Sequence, residues 1–217
     1  MKNGDFVSVS YTGKVKGGKV FDTTDAETAK KESIFNERSI YGPVTIVVGA
    51  GHIFKGLETV LEGMKVGEKK TIDLKPENAF GVRDGKKVQL VPLKFFKGQN
   101  VKPAAGMSVQ VGGAFGYIQS VSGGRVTVDF NHPLAGKTLE YEVKVEGDVK
   151  KPEDKVKGLL ALHLRQPEAY SIAAAEGAVT ITVPEEHEIP KIVMSAVAAD
   201  LKKWASIKSV KFVYNFA

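Results

Sequence analysis

The segment from Gly49 to Gly67 restricts the chain more than any other. It opens on a glycine-rich turn, Gly49–Gly51. Phe54, Leu57, Val60 and Leu61 then recur at helical spacing. Gly63 stands where a left-handed C-cap belongs, because glycine reaches positive φ without a Cβ clash. A helix this short is marginal in water and must lie against another surface. The flanks offer a sheet. Val44–Val48 is an apolar run, and Thr71-Ile72-Asp73-Leu74 alternates after a polar turn containing Lys65, Gly67 and Glu68. A sheet packed on one short helix, an α+β arrangement, is the predicted outcome.

The N-terminal residues extend that sheet. Val7, Val9 and Tyr11 alternate with serines as one face of a half-buried strand. Val20–Thr24 predicts a second strand that ends on a carboxylate, Asp22. An acid at a strand end is ordinarily a turn or cap residue, so Asp22 alone marks no site. Residues 25–42 are predicted as an irregular polar loop, closing on Tyr41-Gly42-Pro43. Pro76–Gly81 reads as a loop that carries an aromatic, Phe80.

Taken together, these pieces resemble a known family. Tyr11-Thr12-Gly13, Phe21-Asp22, the 49–67 segment and the Pro76–Gly81 loop stand in the order and spacing of the FKBP-type peptidyl-prolyl isomerases. Asn131 to Leu139, followed by Tyr141 to Val145, is similar to the closing segment of the SlyD-like branch. The resemblance covers the chain from residue 1 to residue 149. It implies an antiparallel sheet wrapped on the short helix, and an enzyme that rotates prolyl bonds. It also implies a pocket formed by Tyr11, Phe21, Ile53, Leu57, Phe80 and Tyr141, with Asp22 beside the twisting carbonyl. Val44, Ile46 and Leu134 would be secondary walls, and the Phe54 N–H would anchor the peptide. Three positions depart from small family members: the floor is Leu57 instead of tryptophan, Phe80 replaces a tyrosine, and Val44 replaces an aromatic. A wider, less polar pocket and weak binding of macrolide inhibitors are expected.

Such chemistry requires no nucleophile, cofactor or metal. A prolyl amide must twist through a barrier of about 18–20 kcal/mol, and a dry apolar cleft that prefers the twisted form lowers it. The structural alternative is that the aromatics are simply core, as large apolar residues usually are. That alternative leaves Asp22 among them unexplained.

The chain is longer than this unit needs. Roughly 45 residues separate the Phe80 loop from Asn131, far more than a connection requires. Gly106–Gly113, Phe115–Val121 and Arg125–Phe130 read as strands, and Val91–Phe96 is expected to expose Phe95 and Phe96 as client-binding aromatics. A small all-β domain at residues 85–129 is expected, similar to the insert-in-flap domain with which SlyD-like proteins capture unfolded chains. The isomerase domain would then comprise residues 1–84 and 130–149. Residues 146–155 are predicted as a charged linker. Residues 150–217 read as helix, hairpin, helix and strand, an α+β unit like that of the long archaeal members of the family. The hairpin turn falls at Glu176-Gly177, and the last strand alternates through Val210, Phe212, Tyr214 and Phe216. A unit of roughly 65 residues has little core of its own, which favours docking or a homodimer through it.

Charge and composition set the remaining expectations. The net charge of +6 motivates a nucleic-acid or ribosome-associated reading, but no basic block interleaved with aromatics accompanies it, so a lysine-rich solvated surface is expected. Abundant Lys and Glu without cysteine suit a thermophile. The four histidines form no cluster, and His52 and His132 read as turn or packing residues, so no metal site is expected. With no apolar span, no signal segment and no cysteine, the expected setting is cytoplasmic, without a membrane partner. Unfolded, proline-containing polypeptides are the expected substrates. The competing reading is a holdase chaperone whose isomerase pocket is idle.

Overall fold

Strand β1 (Phe6–Val15) is the one on which the first part of the molecule is assembled. In the computed structural model, which describes residues 1–98, 101–164, 166–175 and 177–214, it pairs with three partners, all antiparallel. Along one side runs β9 (Leu139–Asp148), in register from Val7–Asp148 to Val15–Leu139 with a bulge near Ser8. Along the other lie β2 (Val20–Thr23), opposite Thr12 to Lys14, and β3 (Val44–Val47), opposite Phe6 to Val9. Strand β4 (Lys69–Leu74) closes the sheet on β9.

Period-two alternation gives these strands two apolar faces. Val7, Val9, Ile46, Val143 and Val145 point toward the short helix α2 (Lys55–Leu61) and bury Leu61 and Met64. Phe6 and Val47 point the other way. Gly63 has φ +86°, as its place after α2 requires.

Two expectations fail locally. The 25–42 segment is not wholly irregular: Ala26–Lys31 forms helix α1. Asp25 caps it by accepting the Thr28 N–H, Glu27 lies in the first turn and Lys30 and Lys31 in the last. Only Ala29 is buried, so the segment carries no apolar periodicity. The charged 146–155 stretch is likewise not a linker. Strand β9 runs to Asp148, and helix α4 (Pro152–Ala161) begins at Pro152, where proline at the first helical position needs no N–H partner. Glu153 and Asp154 then suit the helix N-terminus.

The C-terminal segment docks on the face bearing Phe6 and Val47. It contains β10 (Ser171–Ala175), β11 (Ala178–Val183), α5 (Lys191–Trp204) and β12 (Ser209–Tyr214), in sheet order β10-β11-β12. Strand β12 runs parallel to β11, with α5 as the crossover. Leu159, Leu160, Ile181, Val197 and Leu201 form one core with Phe6 and Val47. Helix α4 approaches β3 at Gly158, where a Cβ would overlap Thr45 Cβ and lie 2.5 Å from its Cγ2. Glu176 of the expected hairpin turn and Phe216 of the expected last strand lie outside the described residues.

The molecule divides into two compact units, Met1–Leu74 with Thr138–Ala217, and Lys75–Lys137. The second is a four-stranded antiparallel sheet in the order β5-β8-β7-β6: β5 (Val88–Pro92), β6 (Ser108–Val111), β7 (Ala114–Ser122) and β8 (Arg125–Asp129). It also holds a short helix, α3 (Leu93–Lys97), which the strand-only reading missed. That turn points Phe96 into the core with Val91, Ile118, Val126 and Val128, so of the Phe95–Phe96 pair only Phe95 is exposed. Asn131 braces the base of the unit: its Oδ1 accepts the Asp84 N–H at 2.9 Å and its Nδ2 donates to Asp84 O at 2.9 Å. The α+β class expected from the sequence is present in full: an antiparallel sheet on a short helix, an inserted β-rich unit and a C-terminal α+β segment. No helix among the described residues is long and apolar enough to cross a membrane.

The close approach of α4 to β3 yields a stability test. Gly158→Ala forces α4 away from Thr45 and is expected to lower the unfolding free energy by roughly 1–3 kcal/mol, the usual cost of overpacking. Urea denaturation followed through Trp204 on α5 measures it. An unchanged midpoint would mean that the C-terminal segment does not dock through this contact.

Candidate functional site

Gly13 lies at the centre of the candidate site. In the β1 register it faces Asp22 of β2 on one side and Tyr141 of β9 on the other. Its lack of a side chain is required by close approach. A Cβ there would lie 2.7 Å from Cε1 and Cζ of Tyr141 and 3.1 Å from Cζ of Phe21. The rings therefore fold over the glycine. Tyr141 is 2% exposed and is the hub of the cluster. Phe21 meets it edge-on, with centroids 5.9 Å apart and an interplanar angle of 82°. Phe54 meets it at 6.0 Å and 68°, and Tyr11 at 6.0 Å and 54°. Tilted and edge-on pairs at these distances are mutually attractive and lock ring orientations.

In front of this cluster is a cavity of about 390 Å³, lined by Tyr11, Asp22, Gly51, His52, Ile53, Phe54, Leu57 and Tyr141. Strands supply Tyr11, Asp22 and Tyr141, the glycine turn supplies residues 51–54, and α2 supplies Leu57 as a buried floor. The volume suits a small apolar group with a few polar contacts. A second cavity of about 360 Å³ adjoins it, sharing Tyr11 and Asp22 and walled by Phe21, Ile34, Ile40, Tyr41 and Val44. Phe35 stacks on Tyr41 there at 5.1 Å and 10°.

Electrostatics single out Asp22. Burial pushes its carboxyl above the ordinary 3.8, opposed by the Tyr11 O–H and the Thr23 N–H, which donate to it. The Tyr11 phenol is held far above its usual range, first by burial and then by Asp22. Burial and Asp22 act the same way on Tyr141. Both phenols keep their protons, and Tyr11 spends its own on Asp22. The site is a greasy hollow with one tethered acid.

The structure gathers Tyr11, Phe21, Asp22, Ile53, Phe54, Leu57 and Tyr141 around the rings and the cavity. Val44 lines the adjoining cavity. Ile46 is fully buried in the core beneath the sheet and lines neither. Phe80, Leu134, Phe95 and Phe96 belong to the other compact unit. There Phe80 stacks on His132 at 4.1 Å and 6°, while His132 Nδ1 accepts the Leu134 N–H at 3.1 Å. His132 is a turn residue, as its sequence setting implied. Gly13 and His52 were missed as site residues. The signal for Gly13 was its place between Tyr11 and the Phe21-Asp22 pair, which strand register converts into contact. No group of three or more metal-ligating side chains exists among the described residues.

Comparison with known proteins adds the family context. Residues 89–134 match the family model described as FKBP26, IF domain, and residues 152–217 that described as FKBP26 C-terminal. The chain is similar to the short-type peptidyl-prolyl cis-trans isomerase of Methanocaldococcus jannaschii, 39% identical over 145 residues, or 67% of this chain and 92% of that protein. It is also similar to the FKBP-type 16 kDa peptidyl-prolyl cis-trans isomerase of Escherichia coli, 33% identical over 131 residues, covering 58% and 83% of the two chains. A third relative is the FKBP-type isomerase SlyD of Helicobacter pylori, 37% identical over 115 residues, 48% of this chain and 58% of that one.

The opposed influences on Asp22 predict a titration. Its carboxyl carbon resonance is expected to titrate above 3.8, and Tyr11→Phe to move the midpoint higher, since the hydrogen bond that holds it down is gone. The folded state binds this proton more tightly than the unfolded chain. The group therefore makes stability fall as pH rises from 3.8 through the folded midpoint. A midpoint that drops in Tyr11→Phe would contradict the tethering.

Proposed function

The chain belongs to the FKBP-type peptidyl-prolyl cis-trans isomerases and is SlyD-like, and on that premise we propose that the cavity around Tyr141 is where the prolyl bond turns. The observation that carries this reading is the pairing of an aromatic cluster around buried Tyr141 with a single tethered carboxylate. A prolyl ring seats on Leu57 between Ile53, Phe54 and Tyr141. The rotating carbonyl loses resonance and polarity on the way, so apolar walls favour the twisted form over either planar one. Asp22 lies beside that carbonyl, where its field responds to the changing dipole. The Phe54 N–H anchors the neighbouring carbonyl. No bond is made or broken, and no proton moves.

The second half of the proposal is client capture, which we assign to residues 85–129, with isomerisation assigned to residues 1–84 and 130–149. Leu90 is 60% exposed and Phe115 72%, and Phe95, Tyr117 and Val121 add to the same unit's exposed apolar surface. We take these exposed apolar side chains as the capture surface. Unfolded, proline-containing chains are the matching partners. Binding at the insert raises the effective concentration of their prolines at the cavity. A cytoplasmic setting fits such clients. The competing reading, a holdase with an idle pocket, draws on the same exposed residues.

Two experiments separate these readings. Asp22→Ala combined with Tyr141→Ala is expected to slow the catalysed isomerisation of a short proline peptide at least about tenfold, equivalent to about 1.4 kcal/mol in the barrier. An unchanged rate would reject the cavity as the active site. Deleting residues 85–129 is expected to abolish protection of an aggregating client while the short-peptide rate survives. Retained protection would place client binding elsewhere.

A further inference from the structure

The turn that carries Ile53 and Phe54 is held on both flanks by side chains. On one flank Glu58 Oε1 accepts the Gly51 N–H at 2.8 Å, from within α2. On the other, His52 Nδ1 accepts the Val47 N–H at 3.2 Å. A backbone amide only donates, so Nδ1 carries no proton here, and the hydrogen of the neutral ring sits on Nε2. That nitrogen lies 3.3 Å from Oδ2 of Asp200, which is on α5 of the C-terminal segment. The His52 side chain is 10% exposed and the Asp200 side chain 26%. One imidazole therefore joins the end of β3, the cavity turn and a helix 148 residues away in sequence.

Both ends of this path rest on packed elements. Val197 and Leu201 of α5 are fully buried in the same core as Phe6 and Val47. Trp204, one helical turn beyond Asp200, lies close enough to Gly4 that a Cβ there would be 3.7 Å from its ring. Asp200 and the Val47 N–H are thus fixed reference points, and the imidazole spans them. Which nitrogen of a histidine carries the proton, and how the ring stands, is set by the bond the other nitrogen makes. The ring's stance in turn sets the backbone at residue 52, directly before the two cavity residues.

We propose that Asp200 is a positioning residue for prolyl isomerisation: through His52 it orients Ile53 and Phe54, so the C-terminal segment takes part in turnover without lining the cavity. This inference rests on the cavity being the prolyl site, and the test is chosen to separate the two.

The full-length chain is assayed with a short proline tetrapeptide, and the same peptide is titrated against ¹⁵N-labelled protein. Asp200→Ala is expected to lower kcat/KM about 3- to 10-fold, the weight of one hydrogen bond, and to shift the peptide-free amide signals of His52, Ile53 and Phe54. His52→Ala is expected to do the same, and the double variant no more than either single one, because the two act in series. Asp200→Asn keeps an acceptor oxygen in place and is expected to restore most of the activity, which a merely structural role for the charge would not. Lys202→Ala, on the exposed side of α5, is expected to change nothing. If Asp200→Ala unfolds the protein, Asp200→Leu, of similar shape and without an acceptor, replaces it and must show the same loss. Wild-type kcat/KM and unshifted turn amides in Asp200→Ala, with the peptide still perturbing Ile53, Phe54 and Tyr141 in the unsubstituted chain, overturn the relay and leave the cavity assignment standing. Additive losses in the double variant also overturn it. A peptide that perturbs none of those three residues in the unsubstituted chain overturns the cavity assignment, and the relay with it.

Discussion

Tyr141 lying over Gly13 is the contact on which the rest of the site depends. The antiparallel register of β1 with β9 brings the two residues opposite each other, and the absent Cβ lets the phenol ring drop onto the strand. Phe21, Phe54 and Tyr11 then pack around that ring. A methyl group at position 13 would lift Tyr141 and Phe21 together, and the hollow would lose its back wall. Because the rings brace one another, the back wall of the cavity is a property of the sheet, while the turn at residues 51–54 supplies the facing side.

The same sheet explains how the C-terminal segment is held, although, contrary to the expectation of a small core, that segment buries a cluster largely its own. Strand alternation leaves Phe6 and Val47 facing away from α2, and these supply the apolar surface that Leu159, Leu160, Ile181 and Leu201 need. Docking against the sheet extends a core that the segment itself largely supplies, through Val156, Val179, Ile181, Val197 and Leu201 among others. It also brings α5 within reach of the turn beside the cavity, because β3 contributes Val47 to both structures: its side chain to the docked core and its N–H to His52.

Much of this was legible in the sequence, for a specific reason. The β1, β3 and α2 segments carry strong apolar periodicity, and glycines punctuate the 49–67 stretch, so element types followed from spacing alone. The candidate site was legible through residue types that have no reason to occur together in a plain core, Asp22 among Tyr11, Phe21 and Tyr141. What escaped was set by polar or tertiary terms. Helix α1 buries only Ala29 and is held by an aspartate cap and end charges, which leave no apolar pattern. Helix α3 is one turn long, and nothing in adjacent phenylalanines indicates which points inward. Gly13 and His52 matter through register and docking, and neither is encoded locally.

Asp22 supplies the last step. A carboxyl whose folded pKa is raised by burial makes the native state less favourable once ionised, so its presence is not a contribution to stability. The fold softens that cost with the Tyr11 O–H and the Thr23 N–H but does not remove it. No cation neutralises the carboxylate among the interactions that set its pKa. An apolar residue at position 22 would carry no ionisation cost of this kind. An acid held at net expense to folding, at the rim of an aromatic hollow, is accounted for by the rotation catalysis proposed above and not by core packing. On the proposed reading, that asymmetry, more than the aromatics themselves, distinguishes the cavity from a well-packed interior.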